Sequence, residues 1–128
     1  MDTRTKILSE TVALETLEAL RAQGESVRAV TGFFDVLLAA HVRALRDFAE
    51  GKSKLIALVL NPPEPLLAQD ARAELAASLA TVDYVVAVAD DGAELLRGIQ
   101  PARVLRMEAD DAHRRRELIE HVQRRRGA

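Results

Sequence analysis

The sequence predicts a single α/β domain built in three layers around a parallel sheet. Segments with helical period alternate with short β-branched runs along the chain, in the order helix, then strand and helix four times over. The most apolar run, "KLIALVL" at 54–60, is continuous rather than alternating, as expected of a strand covered on both faces. The 128 residues suit one domain, 1–128, with no repeat, low-complexity stretch or long linker to divide it.

Each element has a local reason. In "SETVALETLEALRAQG", Ala13, Leu17 and Leu20 share one helical face with Val12 and Leu14 beside it, Ser9 is placed to cap, and Gly24 to stop the helix. "SVRAVTG" reads as a strand ending at Gly32. "LLAAHVRALRDFAEG" is helical, with Leu38, Val42, Leu45 and Phe48 on one face and Gly51 closing it. "NPPEP" ends the "KLIALVL" strand, because proline offers no amide to a ladder. "PLLAQDARAELAASLATV" is an alanine-rich helix, "DYVVAVAD" a third strand, "DGAELLRGI" a short helix and "PARVLRM" a fourth strand. "DDAHRRRELIEHVQRRR" closes as an amphipathic helix with a Leu118, Ile119 and Val122 stripe and Asp110 or Asp111 at its cap.

Composition narrows the function classes. A hydrophobic fraction of 48% with 30% charged residues describes a folding chain, and 3% aromatics leave Ala, Leu and Val to make its core. A net charge of −2 gives no reason to expect nucleic acid or an anionic membrane as partner. The absence of cysteine excludes disulfides, thiolate metal sites and cysteine nucleophiles. No apolar run reaches the roughly 20 residues of a membrane span, and "MDTRTKILSE" lacks the apolar core of a secretory signal. The expectation is a soluble cytoplasmic protein. His113 and His121 are eight apart with no cysteine in the chain, and no metal site is expected from them.

Ligands of parallel sheets sit beyond the carboxyl ends of the strands, where strand order reverses. The turn after the first strand, "TGFFDVLLAAHV", is therefore the first place to look. Thr31 and Gly32 leave the strand, and a glycine there lets backbone amides approach a phosphate. The following helix start offers its positive dipole end to the same anion, with His41 in its first turns. Arg72, at the start of the third helix, and Arg106, ending the fourth strand, are expected at the same edge. Plainer roles stand beside these. Gly32 serves equally as a strand-end turn, Asp35 as a brace of the turn, and His41 as a hydrogen-bonded helix residue. Phe33 and Phe34 read as packing residues, one of which could wall a flat ligand. Leu38 reads as core, and Arg72 as a surface partner of Asp70 or Glu74.

At these residues the chain resembles the cytidylyltransferase-like nucleotidyltransferases, especially the adenylyltransferase domain of ADP-heptose biosynthesis (heptose 1-phosphate adenylyltransferase). "KILSETVALETLEALRAQGESVRAVTGFFDVLLAAHV", "RAEL…L…VDYVV" and "IQPARVL" follow that domain's elements in order. The resemblance implies a Rossmann-like nucleotidyltransferase fold and a signature of glycine, a variable residue, Phe-Asp, then His-x-Gly-His. The matching run here is Gly32, Phe33, Phe34, Asp35, then Leu38-Ala39-Ala40-His41. It implies that His41 is the retained catalytic histidine, and that Arg72 matches the family's arginine while Arg106 stands for its lysine. The family's reaction moves a nucleotidyl group from ATP or CTP onto a phosphorylated substrate, with Mg²⁺ assisting and pyrophosphate released.

Several positions depart from that pattern. Leu38 replaces the first histidine and can neither donate a hydrogen bond nor carry charge. Ala40 replaces the intervening glycine. The loop "NPPEPLLAQDA" has no lysine, and "DDAHRRR" stands where the family has a hydroxyl-rich turn. The leading expectation is a degenerate member without efficient transfer, retaining a crevice for a nucleotide or phosphorylated sugar. An active transferase using ATP or CTP with Mg²⁺ is the first alternative. The second is a protein or nucleic-acid interaction module working through Arg114, Arg115, Arg116, Arg124, Arg125 and Arg126, whose plain role is a solvated helix face. The family's habit of forming dimers adds a homodimer to the expectations.

Overall fold

A computed structural model describes residues 2–35, 39–49, 51 and 53–108. Among these, four parallel strands form one sheet: β1 (Val27–Gly32), β2 (Lys54–Val59), β3 (Tyr84–Ala87) and β4 (Arg103–Arg106), in the order β3-β2-β1-β4. Helices α1 (Glu10–Ala22), α2 (Ala39–Phe48), α3 (Gln69–Ala77) and α4 (Ala93–Ile99) alternate with them. The α/β, Rossmann-like architecture expected from the alternation is thus the architecture observed. The final helix, its Asp110 or Asp111 cap, the arginine runs and Leu38 lie outside the described residues.

The continuous apolar run of β2 has its explanation in the layers. Leu55, Ala57 and Val59 face Leu45 of α2 and Ala73, Ala76 and Ala77 of α3. Ile56, Leu58 and Leu60 face Ala13 and Leu17 of α1 and Leu95, Leu96 and Ile99 of α4. A central strand buried on both faces cannot alternate polar with apolar, so every second residue changes layer without changing character. At the sheet edge, β4 is only partly covered, and Arg103, Val104 and Arg106 are exposed.

Helix boundaries follow local chemistry in α1. The Ser9 hydroxyl accepts from the Val12 amide at 3.2 Å, and Gly24 takes φ +81° just past the end. At the far side of the sheet, Gly92 leads into α4 at φ +75°, where a Cβ would lie 3.1 Å from a methyl of the buried Leu58. Only glycine meets both demands there.

The third helix is shorter than its composition predicts. It spans Gln69–Ala77, whereas the helical pattern runs from 65 to 82. At its front, the amides of Leu66 and Leu67 donate to Asp35 instead of joining a helical turn. At its rear, the Ser78 hydroxyl donates to the Leu75 carbonyl, and Lys6 donates from Nζ to the carbonyls of Leu79 and Val82 at 3.2 and 2.8 Å. Both carbonyls lie past the helix end, in the turn that leads to β3, and the ammonium satisfies them there. Lys6 belongs to a short 3-10 turn, Thr3–Lys6, followed by a single parallel bridge from Ile7 to Val85 beside β3. One bridge carries no periodicity, so it leaves no pattern in the sequence. Asp2 caps this turn, and its hydrogen bond with Arg4 holds the carboxyl down at about 2.

Candidate functional site

Strand order reverses between β1 and β4. The chain builds β2 and β3 to one side of β1 and then returns to place β4 on the other. The crevice beyond the carboxyl ends of β1 and β4 is where this class of sheet holds ligands. Thr31 and Arg106 are direct register partners at that point, and the Met107 amide extends the ladder by donating to the Thr31 carbonyl at 2.7 Å. The sequence-level expectation that these two residues share an edge is met at the level of the backbone.

Their side chains meet on a third residue. The fully buried Thr31 donates from Oγ1 to Oε2 of Glu108 at 2.7 Å, and Arg106 reaches Oε1 of the same carboxylate at 3.3 Å. Glu108 escaped the sequence reading. Arg106 and Glu108 lie two apart, and extended chain puts such residues on one side. Nothing in the local sequence, however, shows that Thr31 lies opposite.

The signature turn is built into the core. Gly32 ends β1 in register with Val59, and its carbonyl accepts from the Leu60 amide at 2.8 Å. Phe33 packs half-buried against the α1–α4 layer, while the buried Phe34 joins the α2–α3 layer. Phe34 has φ +53°, a left-handed conformation that costs a side-chain-bearing residue roughly 1–2 kcal/mol. Burial of its ring against Val30, Leu45 and Met107 offsets that cost. Both aromatics act as packing residues.

Asp35 is 6% exposed and accepts from the amides of Leu66 and Leu67 at 2.8 and 2.9 Å. The brace expected of it is observed, and it reaches across to the loop after β2. Arg72 differs from its expected surface role beside Asp70 or Glu74. It is 1% exposed, and its guanidinium donates to the carbonyls of Leu67, Phe33 and Leu60 and to Oδ1 of Asn61, at 3.0, 3.0, 2.5 and 2.6 Å. The physical reason is geometric: a planar fork of five donors matches the carbonyls left over where β1 and β2 end. Burial pushes the guanidinium below its ordinary pKa, and the nearby charge of Asp35 opposes that shift. Gln69, one turn earlier, extends the clasp by donating to the Val59 and Val88 carbonyls at 3.0 and 2.9 Å. No sequence signal marked it.

His41 is buried in the first turn of α2, one turn before the fully buried Leu45. A cleft of about 310 Å³ on the α1–α4 side is lined by Glu10, Leu14, Asp90, Glu94 and Leu95. Its three carboxylates would repel a polyphosphate. Among the described residues no group of three or more His, Asp or Glu side chains is placed to hold a metal ion, and no helix is long and apolar enough to cross a membrane.

No family model matches the chain. Sequence similarity does connect it to bifunctional HldE proteins. It is 35% identical over 105 residues to the Bifunctional protein HldE of Ectopseudomonas mendocina, covering 74% of this chain and 22% of that protein. Over 111 residues it is 34% identical to the HldE of Trichlorobacter lovleyi, covering 78% and 22%. With the HldE of Vibrio parahaemolyticus it shares 34% identity over 99 residues, covering 70% and 21%. The chain therefore corresponds to about one fifth of the length of these relatives, and most of its own length is similar to that part of the HldE proteins.

Proposed function

We propose that this chain is a domain of the cytidylyltransferase-like adenylyltransferase type that has lost efficient nucleotidyl transfer and keeps a crevice for a nucleotide or a phosphorylated sugar. The similarity to a segment of the bifunctional HldE proteins and the parallel sheet support the type. One observation carries the loss: four polar side chains expected at this edge, Thr31, Asp35, Arg72 and Arg106, are bonded to other groups of the protein. Arg72 is committed to Phe33, Leu60, Leu67 and Asn61, Asp35 to two backbone amides, and Thr31 and Arg106 to Glu108.

These residues fit a nucleotide with Mg²⁺ poorly. Both oxygens of Asp35 accept backbone amides of Leu66 and Leu67, which ties the carboxylate to the loop after β2. A phosphate needs donors, yet Arg72 has turned its donors onto carbonyls. Leu38 and Ala40 remove a further donor and a close backbone approach.

Loss of one preorganised donor of this kind commonly costs about 10²–10³ in rate. Incubation with ATP or CTP, Mg²⁺ and sugar phosphates should therefore release pyrophosphate at least about 10²-fold more slowly than the roughly 10 s⁻¹ of an ordinary enzyme. Turnover near that ordinary rate would refute the proposal and establish an active transferase.

A further inference from the structure

We infer that Glu108 is the resident anion of the β1/β4 crevice, a carboxylate that competes with phosphate-bearing ligands for Thr31 and Arg106 and so tunes their affinity. The inference deepens the proposed function and rests on it, since it concerns what the same crevice admits.

The geometry is that of an anion site occupied from within. One carboxylate oxygen takes a buried hydroxyl at 2.7 Å and the other a guanidinium at 3.3 Å. Those are the donors a phosphoryl group would use at this edge, and a hydroxyl plus a guanidinium is a common anion-binding pair. Thr31 serves no other acceptor while Glu108 stays in place, because it is fully buried and Glu108 is its side-chain partner. Arg106 is different: its side chain is 54% exposed and can follow a ligand outward. Glu108 is 24% exposed, so its charge is only partly screened by water and acts directly on whatever enters.

Two anions cannot share one donor pair. An incoming phosphate must either displace the carboxylate or lie beside it, and both routes weaken binding. The switch point thereby holds a phosphate-bearing ligand more weakly without any change in fold. Glu108 stands beyond the last residue of β4, so removing its charge leaves the ladder from Arg28 to Met107 intact.

The test is calorimetric titration of pyrophosphate and of ATP into the full chain, comparing wild type with Glu108→Gln and Glu108→Ala. Hydrogen bonds to charged groups are strong enough that both variants should bind about tenfold tighter or more, and adding Arg106→Met should abolish the gain. Measurable binding that is equal in all three proteins overturns this inference and leaves the proposed crevice standing. No binding in any of them overturns both. The wild type supplies a readout independent of the variants: at saturating pyrophosphate the side-chain carboxyl ¹³C resonance of Glu108 should move as it leaves Thr31. An unmoved resonance in a saturated protein contradicts the inference.

Discussion

Replacing Arg72 with methionine should lower the unfolding free energy by about 3–5 kcal/mol, because it strands the carbonyls that the guanidinium satisfies. Methionine fills most of the volume but donates nothing. The carbonyls of Phe33, Leu60 and Leu67 would then be left without the donor that satisfies them at the ends of β1 and β2. Each buried acceptor left unsatisfied costs about 1–3 kcal/mol, reduced where water can enter. Equilibrium unfolding in urea measures the effect as a lower midpoint at unchanged slope. A surface arginine paired with Asp70 or Glu74 would give a change within about 0.5 kcal/mol. A loss that small would show that the guanidinium is free to serve a ligand.

Asp35→Ala should cost about 3 kcal/mol, from two amide hydrogen bonds to a charged acceptor at roughly 1.5 kcal/mol or more each. The loss has a location as well as a size. Leu66 and Leu67 sit in the loop between β2 and α3, and both side chains are exposed, so little else there favours order. Their amides should lose hydrogen-exchange protection in the variant, while those of β1 and β2 change only in step with global stability. Protection retained at Leu66 and Leu67 would contradict the brace and return Asp35 to the list of groups available for chemistry.

The order of elements was legible because a doubly covered parallel sheet writes itself in continuous apolar runs, and β2 is the clearest of them. Caps were legible too, since Ser9 and Gly24 act within a few residues of themselves. What the sequence hid acts over distance. The loop ahead of α3 is held by Asp35, 31 residues before Leu66, and the turn behind it by Lys6, more than 70 residues earlier. The same holds in the crevice. Position along the fold placed Thr31 and Arg106 on one edge, because strand ends are countable from the pattern. It could not show that Glu108 joins them or that Arg72 faces inward. Those outcomes depend on which carbonyls and hydroxyls the tertiary packing leaves in need of a partner.

Arg72 and Asp35 serve the protein's own structure before any ligand. A crystal structure of the protein grown with ATP and Mg²⁺ tests this most directly, because Arg72 has one set of donors and two competing uses. The guanidinium should keep its bonds to Phe33, Leu60, Leu67 and Asn61 whether or not nucleotide is bound. A guanidinium swung out onto a phosphate, with those carbonyls released, would contradict this.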